Sequence, residues 1–294
     1  MAAAPSRRPV VRTSDVGARR VITAAAGPRR SPTSTTSGDY VVKRSGVSLS
    51  RRHVRGSLYI TGSDVTVSDV VVDGNVYVNF TPQGGLVEPV PSDVRLVHVR
   101  ATGIFSNGFR GLTLDGVELV DQQDGPHAQL FNYADDAHGA VFPASRLVIT
   151  RSWFHGVRPS TTEAHLENLH LGGVQGAVIR DNVFELYSPN GGGTQTQFTA
   201  NVALEPQMYG VFNSDVVFDG NWLLGGGAYQ LYFNAKGTNR VTNNHFASDS
   251  PSFAAVQYPP DAYVPDALPP GGYVAFAQSG NTLDGQPTDL PGGK

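Results

Sequence analysis

At 294 residues and 39% hydrophobic content the chain can bury a substantial core, and its 34 glycines, 20 prolines and 16% charged residues suit short strands and tight turns. A formal net charge of -3 gives the chain as a whole no electrostatic reason to seek nucleic acid or acidic lipid, and the lack of cysteine excludes disulfides and thiolate metal sites. No run reaches the roughly 20 apolar residues of a membrane span, and Val21 to Ala26 is too short for a secretory h-region, so a soluble chain without a recognisable signal peptide is expected.

Residues 1–38 are rich in Ala, Arg, Pro, Ser and Thr. Seven arginines from Arg7 to Arg30 face only Asp15, and no long helical periodicity is evident. The segment reads as a basic, extended N-terminal arm that either becomes ordered on a partner or is a disordered leader.

From Tyr40 the texture changes to short strands with period-two alternation, such as Leu58 with Ile60 and Val76 with Val78. Seven stretches align on Val67, Leu96, Leu114, Ile149, Ile179, Phe218 and Val241, and five positions after each anchor the residue is again apolar, from Val72 to Phe246. Three positions after the anchor the later copies carry Asn182, Asn221 and Asn244. A repeated strand, corner and strand is the signature of a solenoid, with insertions near 80–92, 121–143, 158–164 and 188–199 as the segments suited to function. The asparagines are expected to serve the scaffold, since Asn tolerates left-handed geometry and its amide can bond to the next coil.

Each coil has a further strand, including Asn75 to Val78, Ala128 to Phe131, Asn168 to Leu171 and Gln230 to Phe233. His170 and Tyr232 each stand nine positions before an anchor, so they occupy equivalent outward places, and Tyr77 and Gln129 take the comparable place in earlier coils. Beyond Phe253 the pattern weakens into a proline-rich tail, the expected cap for an otherwise open solenoid end. The division expected is an arm at 1–38, a β-helix at 39–258 and a cap with tail at 259–294.

The segments His165-Leu-Glu-Asn-Leu-His-Leu-Gly-Gly, Ala177-Val-Ile-Arg-Asp-Asn-Val-Phe and Val216-Val-Phe-Asp-Gly-Asn-Trp-Leu-Leu resemble the right-handed parallel β-helix, or pectate-lyase-like, superfamily. The likeness is to repeats of actinobacterial and actinophage proteins and covers about residues 45–285. Where that superfamily often has His-x-Asp-Gly-Ile-Gln, this chain has Glu167 for the Asp and His170 for the Gln. The resemblance implies an all-β fold of three-strand coils with an outer sheet that grips polysaccharide, in enzymes and in phage tail proteins alike. It implies a minor tail or spike-type component in the virion or at an extracellular surface, meeting other tail proteins through the arm. A homotrimer is implied by likeness to spikes alone, with no coiled-coil heptad beside it.

Two uses of such a fold are considered beside a purely structural spacer. Recognition would use outward Tyr77, Gln129 and Tyr232, with Glu205 nearby and Trp222 partly exposed, because sugars need flat apolar faces beside hydrogen-bonding groups; ordinary decoration of a sheet is the plainer reading. A polysaccharide lyase would use His165, Glu167, His170 and Arg180 as base, orienter and cation, although spacing three on a strand sends Glu167 and His170 to opposite faces without a bend. A glycoside hydrolase needs two facing carboxylates, and no pair stands out. No cofactor is expected; Asp121, Asp124, Asp135 and Asp136 have oxygen ligands suited to calcium but no recognised ligand spacing, and a solvated loop is the simpler reading.

Overall fold

Triplets such as Leu58-Tyr59-Ile60 and Val76-Tyr77-Val78 bury both flanking residues and turn the middle one outward, as a strand packed on one face requires. The computed structural model describes residues 13–123, 125–135, 140–158, 166–186, 200–205, 211–225, 229–247, 254–257 and 276–290. These strands stack coil upon coil into two sheets, almost wholly parallel, around one continuous apolar core. Among the described residues the structure is all-β apart from one helix, with solenoid-like organisation.

One sheet has nine parallel strands in chain order, from Tyr40–Val42 to Ala254–Gln257. The other has nineteen strands in two adjoining columns, with a sharp corner between the columns in every coil. The seven anchors stand directly opposite one another: Val67 pairs with Leu96, then Leu114, Ile149, Ile179, Phe218 and Val241 follow in register. The second apolar set pairs likewise from Ala101 to Leu119, Phe154, Phe184, Leu223 and Phe246. Slippage by one residue would turn this core face to water, which fixes the register.

A ladder of buried amides fills the corner. Asn182 donates through Nδ2 to Asn221 Oδ1 at 2.9 Å, Asn221 to Asn244 Oδ1 at 3.1 Å, and Asn244 to Asn281 Oδ1 at 3.2 Å. Each also donates to the preceding strand's carbonyl, those of Ile149, Ile179 and Phe218. The left-handed residue is not the ladder asparagine, as expected from sequence, but its predecessor: Arg151, Asp181, Gly220, Asn243 and Gly280 have positive φ. The turn is therefore made one position earlier, which frees the asparagine side chain to point inward.

The N-terminal arm differs from the extended segment expected. Thr13–Ala25 forms an α-helix, α1, and Ser34–Thr36 pairs in parallel with Arg52–Val54, so the solenoid begins inside the segment assigned to the arm. The helix is stabilised by a contact remote in sequence: Ile22 packs on the cluster of Val183, Trp222 and Leu224, against which Trp153 and Ala247 also pack. Such tertiary support outweighs the weak periodicity of the segment itself. At the other end the coils continue beyond residue 258 through Phe276–Ser279 and Thr282–Leu283. Gln286–Pro287 then folds back antiparallel, and Leu290 is buried as its backbone exchanges hydrogen bonds with the Gln278 side chain.

Candidate functional site

The connection between the two columns of the nineteen-stranded sheet is two residues long in every coil from Asp115–Glu118 onward, whereas the insertions at 133–142, 159–165, 187–199, 206–210 and 226–228 all join elements at the borders of the nine-stranded sheet. The outward face of that sheet is thus the part of the surface bordered by variable segments. Its central row is continuous: Tyr59 stands beside Tyr77, then Phe105, Gln129, His170, Ala203 and Tyr232. The expected outward set of Tyr77, Gln129, His170 and Tyr232 lies in one register.

Within the row the chemistry changes along the rod. Tyr59 stacks on Tyr77 with centroids 4.9 Å apart and Phe105 stacks on its other side at 5.6 Å, while Phe80 meets its edge. Both faces of Tyr77 are therefore occupied, and the sugar-stacking role expected of it is corrected: the ring offers its edge and a hydroxyl that accepts a hydrogen bond from Asn75 Nδ2 at 3.1 Å. Burial and then the Asp39 carboxylate push the Tyr59 phenol up, so it stays a donor at neutral pH.

Farther along, His170 Nε2 lies 3.1 Å from Glu205 Oε2, and both side chains are partly open to solvent. Phe131 and His170 meet edge to face, with centroids 4.8 Å apart. This arrangement depends on Gly172, which is paired with Phe131: a Cβ there would lie 2.8 Å from Phe131 Cδ1. Gln129 flanks His170 on the adjacent strand, and Tyr232 lies two strands away across Ala203. The site gathers an oriented imidazole, a carboxylate, an amide, a phenol and an aromatic ring along one line.

Of the other expected catalytic residues, Glu167 and Arg180 lie elsewhere. His165 lies outside the described residues. Glu167 is buried at a corner, and its carbonyl accepts the N–H of His127 at 3.1 Å. Arg180 belongs to the other sheet, where Nε lies 3.3 Å from Asp219 Oδ2. The corner instead buries His127, whose Nδ1 donates to Asn168 Oδ1 at 2.8 Å; burial pushes the imidazole down to about 4, against the opposing effect of that bond. Asn168 in turn donates to Asn201 at 2.6 Å, so this is a second internal polar ladder.

Trp222, expected to be partly exposed for sugars, is 8% exposed and stacks on His245 at 3.8 Å beneath Ile22 of α1. The expectation of exposure is corrected by that remote helix contact. Asp121 is paired with Arg158 at 2.8 Å, Asp124 and Asp136 lie outside the described residues, and among the described residues no group of three metal-ligating side chains converges.

Sequence reasoning missed Tyr59, Phe105, Phe131 and Gly172. Tyr59 had a signal, because Leu58-Tyr59-Ile60 repeats as Val76-Tyr77-Val78. Phe131 and Gly172 had none without the register that places them side by side. Compared with known proteins, the chain matches no family model, no curated protein and no solved structure.

Proposed function

We propose that this chain is a polysaccharide-recognising right-handed parallel β-helix protein of pectate-lyase-like type, which holds a linear glycan against the outward face of its nine-stranded sheet. The observation that carries the reading is the His170–Glu205 contact, edged by Phe131 and set in a row with Gln129 and Tyr232. Parallel strands repeat every ~4.8 Å, so donors and acceptors recur along a line, as recognition of a polymer requires. Glu205 orients the imidazole, which together with the Gln129 amide and Tyr232 phenol supplies directional bonds, and Phe131 supplies apolar contact.

Recognition is favoured over hydrolysis because among the described residues Glu205 is the one carboxylate in the nine strands, whereas glycoside hydrolysis calls for two, roughly 5–10 Å apart. The proposed setting, by resemblance, is a phage tail or spike component or an extracellular surface that meets a bacterial envelope glycan. Calorimetric titration with envelope and uronate polysaccharides tests the reading: His170→Ala and Tyr232→Ala should each weaken binding about tenfold or more, and Arg180→Ala on the other sheet should leave it unchanged. Absence of binding to every glycan, or equal loss in Arg180→Ala, contradicts it.

A further inference from the structure

The two ends of the rod are finished differently. At the C-terminal end Gln286–Pro287 folds back antiparallel on Thr282–Leu283, and Leu290 is buried with its backbone bonded to the Gln278 side chain. At the N-terminal end the strands Ser34–Thr36, Tyr40–Val42 and Ser48–Ser50 pair only with the coil that follows, through Arg52–Val54, Leu58–Ile60 and Thr66–Ser68 respectively. Their other backbone edges have no strand partner among the described residues. α1 does not cover this end: it lies along the side of the rod, against Val183 and Trp222 several coils away. Unpaired parallel edges are a template for another strand.

The charge at this end is distinct from the rest of the rod. The segment from Arg29 to Arg55 holds seven arginines and lysines and one acid, Asp39, whereas from Ser57 onward acids outnumber bases more than two to one. Lys43, Arg44 and Arg55 are exposed, and no carboxylate of a described residue lies within ion-pairing distance of them. Residues 1–12 carry three arginines and no acid, so they do not complement this surface. Two copies meeting through their open first coils would bring like charges together, and at the opposite end Gln286–Pro287 already occupies the edge of Thr282–Leu283.

We propose that the open first coil is the docking end of the rod and that its partner is a different protein presenting an acidic strand edge. Main-chain hydrogen bonds to the free edges supply the affinity, and carboxylates on the partner meet Lys43, Arg44 and Arg55. The proposal is independent of the glycan reading, because the His170 row lies on later coils.

A fluorescein-labelled peptide of alternating glutamate and valine is the probe, titrated by anisotropy against the full chain. Saturable binding is expected, weakening as salt screens the charges and falling about tenfold in the triple variant Lys43→Glu, Arg44→Glu, Arg55→Glu. The same peptide N-methylated at alternate residues keeps its charge and loses its donors, so it should bind at least about tenfold more weakly. The three substituted side chains are exposed, and an unchanged melting temperature checks that the variant folds. The proposal is overturned if the peptide does not bind, if the methylated peptide binds equally well, if duplex DNA binds more tightly than the peptide, or if sedimentation shows the rods self-associating in a way the triple variant abolishes.

Discussion

Replacing Asn221 by Ala removes the middle rung of the corner ladder. Asn221 is fully buried; its Oδ1 accepts from the Asn182 backbone N–H at 3.1 Å and from Asn182 Nδ2 at 2.9 Å, and its Nδ2 donates to Ile179 O at 2.9 Å and Asn244 Oδ1 at 3.1 Å. After substitution Asn182 Nδ2 keeps Ile149 O, and Asn244 Oδ1 keeps the Asn221 N–H at 2.9 Å. The Asn182 N–H and the Ile179 carbonyl lose these side-chain partners in a dry interior, at about 1–3 kcal/mol each, and a small cavity adds to that. The sum is about 3–5 kcal/mol, or a fall in melting temperature on the order of 10 °C. Urea titration and calorimetry of both proteins measure it. Asn243→Gly is the control: Asn243 is exposed with φ of 55°, so glycine should change stability by less than about 0.5 kcal/mol. A loss below about 1 kcal/mol in Asn221→Ala would refute the reasoning that the ladder is structural and fully coupled.

Burial holds the folded His127 imidazole at about 4 while an unfolded one titrates near 6.5, so the unfolded state takes up the extra proton between those values. Stability is complete above pH 6.5 and falls by up to about 3 kcal/mol as pH drops to 4; in denaturant titrations His127→Gln should flatten that slope, and an unchanged slope would refute the assignment. Because Trp222 is one of the chain's two tryptophans and belongs to the cluster on which Ile22 packs, Ile22→Asp should shift the fluorescence maximum to the red, and a spectrum identical to the unaltered protein's would show that α1 does not rest there. Gly172→Val should displace the Phe131 ring from His170 and weaken glycan binding about tenfold by calorimetry; unaltered affinity would mean that Phe131 takes no part.

The core was readable because burial alternates with a period of two and the corners repeat, so Val67 through Val241 could be aligned by apolar character alone. The outward row followed from the same alternation, which is why His170 and Tyr232 fell in one line. What stayed hidden depends on contacts between distant segments. No local pattern shows that Ile22 will cover Trp222 some two hundred positions later, nor that Tyr77 will be enclosed by Tyr59 and Phe105. Proximity in sequence also misled: Glu167, His170 and Arg180 lie within fourteen residues, yet a corner and a change of sheet separate them.

Glycan recognition on the nine-stranded sheet is tested most directly by hydroxyl-radical footprinting with a bound envelope oligosaccharide. Protection should concentrate at Phe131, His170 and Tyr232, with Trp222 unchanged beneath Ile22 of α1. Protection confined to the nineteen-stranded sheet, with those three residues as reactive as in the free protein, would contradict the account.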